Sequence, residues 1–425
     1  MVLFLRAYSL ARRYARLARV HCNIPIDQLS EGDPSVMNTR SNVPLWTPSL
    51  ERTSSAQLTT FAEQVRAKTG LDFKGDYFSL HQWSIDEPAL FWQAVWEFTD
   101  VQGEPGERIC DDPQRLPGCR WFPEGALNYA ENLLRFDDDH EALVEIDEAE
   151  SRRVLTYREL RDQVAQLALW MTEAGIVPGD RVAGFMPNCI ETVVAMLATT
   201  SLGAVWSSCS PDFGMQGAVD RFGQITPRLL FTADGYQYNG KACDSLTRAG
   251  DIASAIPEIE RVIVVPRLSD SPDLATIRDA ILWHACLNGG STPLRCVPCR
   301  FDDPLFILYS SGTTGVPKCI VHGVGGTLIQ HAKEHALHVD ISREDRFFYF
   351  TTCGWMMWNW LFSGLARGAT LVLYDGSPFA REGRRLIDAI DEEHISVFGV
   401  GAKYLGALEK SGLVPAESHK LTSLR

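Results

Sequence analysis

From residue 142 onward short β-branched runs alternate with helix-length stretches, and this alternation limits the possible folds more than any other feature of the chain. Residues 142–146 read as a strand. Thr156-Tyr157-Arg158-Glu159 then carries the Thr-x-x-Glu pattern, in which each end residue's side chain satisfies the other's backbone N–H. The helix opened there is expected to run to Ala174, where Gly175 ends it, and Gly179-Asp180 turns into a strand over 181–185. A helix over 189–202 and strands over 204–207, 229–232 and 261–265 follow. Strands separated by helices pair in parallel through crossovers, so the expected class is α/β with doubly wound, largely parallel sheets. Of the 425 residues 45% are hydrophobic and 22% charged, enough apolar content for such a core.

The rest of the chain divides by composition. Residues 1–36 are Arg-rich with no acid before Asp27, the composition of a mitochondrial transit peptide. They lack its usual Ser enrichment, so Met37 as the true start is preferred, and neither reading puts 1–36 in the fold. Residues 37–140, with Trp83, Trp92, Trp96 and Trp121, read as a compact addition to a large domain over 141–425. Forty basic against 54 acidic side chains leave a net charge of −14, which excludes a general nucleic-acid binder. No apolar run approaches a membrane span of roughly 18 residues. The 11 cysteines are scattered, as suits a reducing, cytoplasmic setting. His284, Cys286, Cys296 and Cys299 have the right chemistry for zinc but the wrong spacing, and read as loop residues.

Chemistry concentrates in Leu308-Tyr309-Ser310-Ser311-Gly312-Thr313-Thr314-Gly315-Val316-Pro317-Lys318. A hydrophobic strand enters a loop of small and hydroxylated residues that leaves through Pro and Lys. Small residues let backbone N–H groups approach a polyphosphate, hydroxyls add donors, and Lys318 adds a point charge. The Gly-x4-Gly-Lys-Ser/Thr order of a Walker loop is absent here. Gly235–Lys241 nearly spells it, but Ala242 stands where the metal-binding hydroxyl belongs. His331-Ala332-Lys333-Glu334-His335 matches a zinc-protease pattern. With no further acidic ligand evident, it reads as a helix carrying solvated polar residues.

The Ser/Thr/Gly loop resembles the phosphate-binding signature of the acyl-adenylate-forming enzymes, the group of acyl-CoA synthetases, adenylation domains and luciferases. Residues 155–160, Val177-Pro178-Gly179-Asp180-Arg181 and Pro187-Asn188 look like the opening of that family's large domain. Leu127-Asn128-Tyr129-Ala130-Glu131-Asn132, Ser210-Pro211-Asp212-Phe213-Gly214, Lys318-Cys319 and Gly354-Trp355-Met356-Met357-Trp358-Asn359-Trp360 resemble its acetoacetyl-CoA synthetase branch. The resemblance covers about residues 75–425.

The resemblance implies ATP-dependent ligation of acetoacetate to coenzyme A. The carboxylate attacks the α-phosphorus, pyrophosphate leaves, and a thiol then displaces AMP. Ser310, Ser311, Gly312, Thr313, Thr314, Gly315 and Lys318 would cradle the phosphates, with Thr314 a ligand of Mg²⁺. Lys318 and Trp355 are the candidate catalytic residues. Trp355, Met356, Met357 and Trp358 would border the acyl pocket, where Gly354 lets a planar ligand lie against the backbone. Asn239, Gly240 and Lys241 lie where relatives touch coenzyme A. The rival readings are the same chemistry on acetate or propionate, and a non-catalytic nucleotide-binding remnant. The chain stops at Leu424-Arg425. The family's second nucleotide loop, ribose-binding Asp and small C-terminal domain with its catalytic Lys are therefore expected to be missing, leaving the chain alone inactive, with weak nucleotide binding at best.

Overall fold

The computed structural model describes residues 46–115, 117–287, 290, 292–310 and 315–425. The readings of residues 1–36 and of Met37 as a start lie outside the described residues. Twelve strands form two sheets. In chain order they are β1 (Glu141–Asp147), β2 (Arg152–Thr156), β3 (Arg181–Phe185), β4 (Val205–Cys209), β5 (Leu229–Ala233) and β6 (Arg261–Val265). They continue as β7 (Ala280–Leu282), β8 (Pro304–Ser310), β9 (Lys318–Gly323), β10 (Arg346–Tyr349), β11 (Thr370–Asp375) and β12 (Val397–Gly399). One sheet has the order β7-β6-β5-β3-β4-β8-β9 and the other β12-β10-β11-β1-β2. Each is parallel except for one edge pair, β8–β9 and β1–β2.

Helices fill the space between the sheets. Tyr157–Glu173 packs on β1 and β2, Ile190–Ser201 packs on β4, and the two helices pack on each other. Every residue of Ile190–Ser201 is buried, which is why its sequence lacks a polar face. The Thr156–Glu159 pair forms the expected reciprocal cap. The structure thus has the expected α/β class, with doubly wound, largely parallel sheets.

Residues 50–133 form a helical addition whose core is aromatic. Phe61 meets Phe91 and Phe98 edge-on, and Trp83 meets Phe91. The stack continues from Trp96 to Phe122 and then to Phe301 of the main body, at centroid distances of 4.9 and 5.0 Å. Phe301 lies against Gly325 so closely that a Cβ there would come within 2.0 Å of its ring. A side chain at 325 would push the helix Val324–Lys333 off this wall. Asn128 locks the junction, its amide donating to the carbonyls of Thr200, Ser201 and Val297 at 2.9–3.1 Å.

Candidate active site

Parallel strands open ligand sites at their carboxyl ends, and here residues at the strand ends of both sheets, Asn188 and Ser210 from one and Phe350 and Asp375 from the other, border one cleft. The phosphate-loop sequence joins β8 to β9, so the sheet holds its ends. Ser310 and Lys318 are register partners across the hairpin. Lys318 and Gly315 are exposed and Ser310 half-buried. Ser311, Gly312, Thr313 and Thr314 lie outside the described residues. Past the lysine, Cys319 is exposed, with its thiol 3.6 Å from the Gln224 amide oxygen.

The segment that leaves β10 and enters the helix Met356–Phe362 separates two cavities. On one side Phe350, Thr351 and Thr352 join Tyr236, Tyr238 and Lys403 around a cleft of about 490 Å³. On the other, Met356, Asn359 and Trp360 face Leu308 and His331 around an open-mouthed cavity of about 430 Å³. Leu308 lies two residues before Ser310, so this second cavity begins about 7 Å along the strand from the loop.

The four residues expected to border one pocket take different positions. Trp355 and Met356 are 59% and 46% exposed, Met357 is half-buried, and Trp358 is fully buried. The Trp358 indole donates to the Asn188 side chain at 3.0 Å, and Asn188 in turn donates to the Tyr374 carbonyl at 3.3 Å. The space beside Gly354 is filled by protein: a Cβ there would lie 2.8 Å from the Phe213 ring. The missing side chain serves close packing between two segments.

Asn239 and Gly240 form the turn of a hairpin between Gly235–Tyr238 and Lys241–Asp244, both with left-handed backbone (φ 53° and 71°). That is the turn an Asn-Gly pair favours, and the near-Walker spelling is a hairpin. Both turn N–H groups donate to the Glu148 carboxylate, at 2.6 and 2.8 Å. Lys241 is exposed and is the register partner of Tyr238, which borders the larger cleft.

Several groups the sequence did not single out support the site. Arg267, next to β6, donates to Glu145 of β1 at 2.7 Å and lies 3.7 Å from Asp375 at the end of β11, so it ties one sheet to the other. Glu145 also accepts the N–H of Ile190 at a helix start. Burial pushes the Asp375 carboxyl up to about 7 despite Arg267, and this residue borders the larger cleft. These partners lie far apart in sequence, and nothing local marks them.

The histidines of the zinc-protease pattern are buried, contrary to the solvated helix expected. His331 Nδ1 lies 3.0 Å from Ser363 Oγ, and His335 Nε2 lies 2.9 Å from both Ser363 Oγ and the Trp360 carbonyl. Burial lowers their pKa values to about 3 and about 4, so both are neutral near pH 7. Burial likewise raises the thiols of Cys286, Cys296 and Cys299 to between about 11 and about 12. Among the described residues no three His, Cys, Asp or Glu side chains form a metal site, and no helix is long and apolar enough to cross a membrane.

Two layered sheets whose strand ends border one cleft, together with the phosphate-loop hairpin, define the class, an α/β ligand-binding body with its site at the strand ends. A family model described as AMP-binding enzyme matches residues 130–425, and one described as acetyl-coenzyme A synthetase N-terminus matches residues 77–133. The chain belongs to the AMP-binding enzyme family. It is 48% identical over 384 residues to the acetoacetyl-coenzyme A synthetase of Rhizobium meliloti (strain 1021), a match covering 90% of this chain and 59% of that protein. The acetoacetyl-CoA synthetase of Danio rerio is 43% identical, with coverage of 89% and 58%. The solved structure of acetoacetyl-CoA synthetase from Streptomyces lividans matches with a TM-score of 0.85 at 41% identity, covering 90% of this chain and 59% of that one. The chain therefore spans about three fifths of the length of these relatives.

Proposed function

We propose that the chain carries the adenylate-forming part of an acetoacetate–coenzyme A ligase. Acetoacetate and ATP would give the acyl-adenylate and pyrophosphate, and the thiol of coenzyme A would then displace AMP. The observation that carries this reading is the pair of cavities on either side of residues 350–356, beside a hairpin that sets Ser310 opposite Lys318. Joining an acid to a thiol through a nucleotide needs three converging subsites, and this reading assigns one to each of these features.

The triphosphate belongs to Ser310, Ser311, Gly312, Thr313, Thr314, Gly315 and Lys318. An anion must there meet a polyanion on a chain of net charge −14, so local donors do the neutralising. Mg²⁺ would serve as the triphosphate's counter-ion, with Thr314 as its protein ligand. The acyl group belongs to the cavity bordered by Met356, with Met357 and Trp358 packed behind it and exposed Trp355 available to cover the reacting carboxylate. The coenzyme A arm belongs to the cleft bordered by Tyr236 and Tyr238. Lys241 would meet its phosphates, while Asn239 and Gly240 shape the turn, their N–H groups being held by Glu148.

The test is acid-dependent pyrophosphate release, in the protein extended to the length of its relatives, with acetoacetate, acetate, propionate and butyrate. Acetoacetate is expected to give the highest kcat/KM. Preference for acetate would replace the acid and leave the family untouched; no release with any of the four would overturn the activity.

A further inference from the structure

One side chain in the smaller cavity is costly to the fold and unused by it. Asn359 lies in the helix Met356–Phe362, borders the cavity, and is 1% exposed. Among the described residues, neither its amide nitrogen nor its amide oxygen has a hydrogen-bond partner. Buried amides are nearly always paired, because an unpaired one forfeits its hydration without return. An apolar side chain of the same shape would suit the helix better.

Several other polar groups of this cavity wall are committed, and His322 and Thr327 line it as well. Gln330 donates to one oxygen of Glu334 and the Trp360 indole donates to the other, both at 2.8 Å. His331 is held by Ser363. The remaining lining includes Phe306, Leu308, Val321 and Met356. A short chain lodged in this cavity would lie along Phe306, Leu308, Val321 and Met356 and meet the wall at Asn359, whose unpaired amide lies just beneath the surface. A small aliphatic acid with one carbonyl oxygen part-way along its chain fits that sequence of surfaces.

We propose that Asn359 is the specificity-determining residue of the acyl cavity, its amide N–H donating to the C3 keto oxygen of a short β-keto acyl group. This rests on the proposed function and deepens it. A β-keto acid would find a donor where a saturated acid would leave the amide stranded. Sites built around a buried donor reject the analogue that lacks the acceptor more strongly than apolar pockets reject an added methylene. One such hydrogen bond is worth on the order of 10-fold in affinity, approaching 100-fold where its loss strands a buried group.

The test uses the protein extended to the length of its relatives and two sulfamoyl-adenosine mimics of the adenylate, one acetoacetyl and one butyryl, which differ only in the keto oxygen. Calorimetry should show the wild type binding the acetoacetyl mimic ~10–100-fold more tightly. Asn359→Leu should bring the two affinities together, with a melting temperature no lower than wild type, since an apolar isostere relieves an unpaired amide. Asn359→Ala is measured alongside, so that a packing defect of the leucine does not decide the result. Preference retained in both variants would overturn the role of Asn359 and leave the proposed function standing. A wild type that does not discriminate would overturn both the role and the choice of acid. Binding of neither mimic would overturn the adenylate-forming reading itself.

Discussion

Lys318 is exposed and the Asp375 carboxyl buried, and their surroundings set different tests. Lys318 is exposed at the start of β9, so truncating it opens no cavity. Lys318→Ala is expected to weaken ATP binding by about 1.5–3 kcal/mol, the worth of a charge-assisted phosphate contact, and to change stability by less than about 0.5 kcal/mol. Calorimetric titration with ATP, paired with a urea melt, checks both; an unchanged ATP affinity would remove Lys318 from the phosphate subsite. Asp375 is a buried acid whose pKa of about 7 stands above its ordinary 3.8. Between those pH values the folded state keeps a proton that the unfolded chain has released. Its contribution to stability is thus greatest below pH 3.8 and is lost as pH rises to 7. Asp375→Asn should gain on the wild type across that window and hold a constant lead above it, as read from urea midpoints at a series of pH values. A constant difference from pH 4 to 8 would mean that the carboxyl titrates normally.

The junction between the aromatic addition and the main body depends on Asn128, whose amide serves two carbonyls at the end of the helix Ile190–Ser201 and one at Val297. Helix ends leave carbonyls unsatisfied, and these are buried. Asn128→Ala is expected to cost about 2–3 kcal/mol, seen as a lower denaturant midpoint with unchanged slope. A loss under 0.5 kcal/mol would show that water replaces the amide. At this scale the sequence was most legible where signals are local. The Thr156–Glu159 cap, the strand over 181–185 and the strand over 261–265 follow from caps, turn residues and β-branched runs a few positions apart. The Asn239-Gly240 hairpin was equally local and was missed because the stretch was weighed as a Walker loop, rejected, and then read by resemblance as a coenzyme A contact, with its turn residues passed over. The burial of His331 and His335 was not legible, since H-x-x-E-H spacing fixes which residues share a helix face but not what that face packs against.

The molecule holds its two sheets in fixed relation through buried ions as well as through helices. Arg267 reaches Glu145 and Asp375 across the sheet boundary, and Arg153 pairs with Glu145 and Glu191 nearby. Removing one member strands the others. Arg267→Met should therefore lower unfolding free energy by about 3–5 kcal/mol, with part of the loss recovered when Glu145→Gln is added. Strict additivity of the two substitutions in urea melts would show that no such coupling exists. The Arg267 pairings were not visible in sequence, because those partners are more than a hundred positions apart. The pairing of Ser310 with Lys318 has a consequence of another kind. Closing a flexible loop costs entropy that grows with its length, and here β8 and β9 meet that cost when the chain folds. A ligand arriving at the loop finds its two ends already at rest. Strand register therefore acts as the gauge of the proposed phosphate site: a slip of one residue between β8 and β9 would turn Lys318 to the other face of the sheet while leaving every residue of the signature in place.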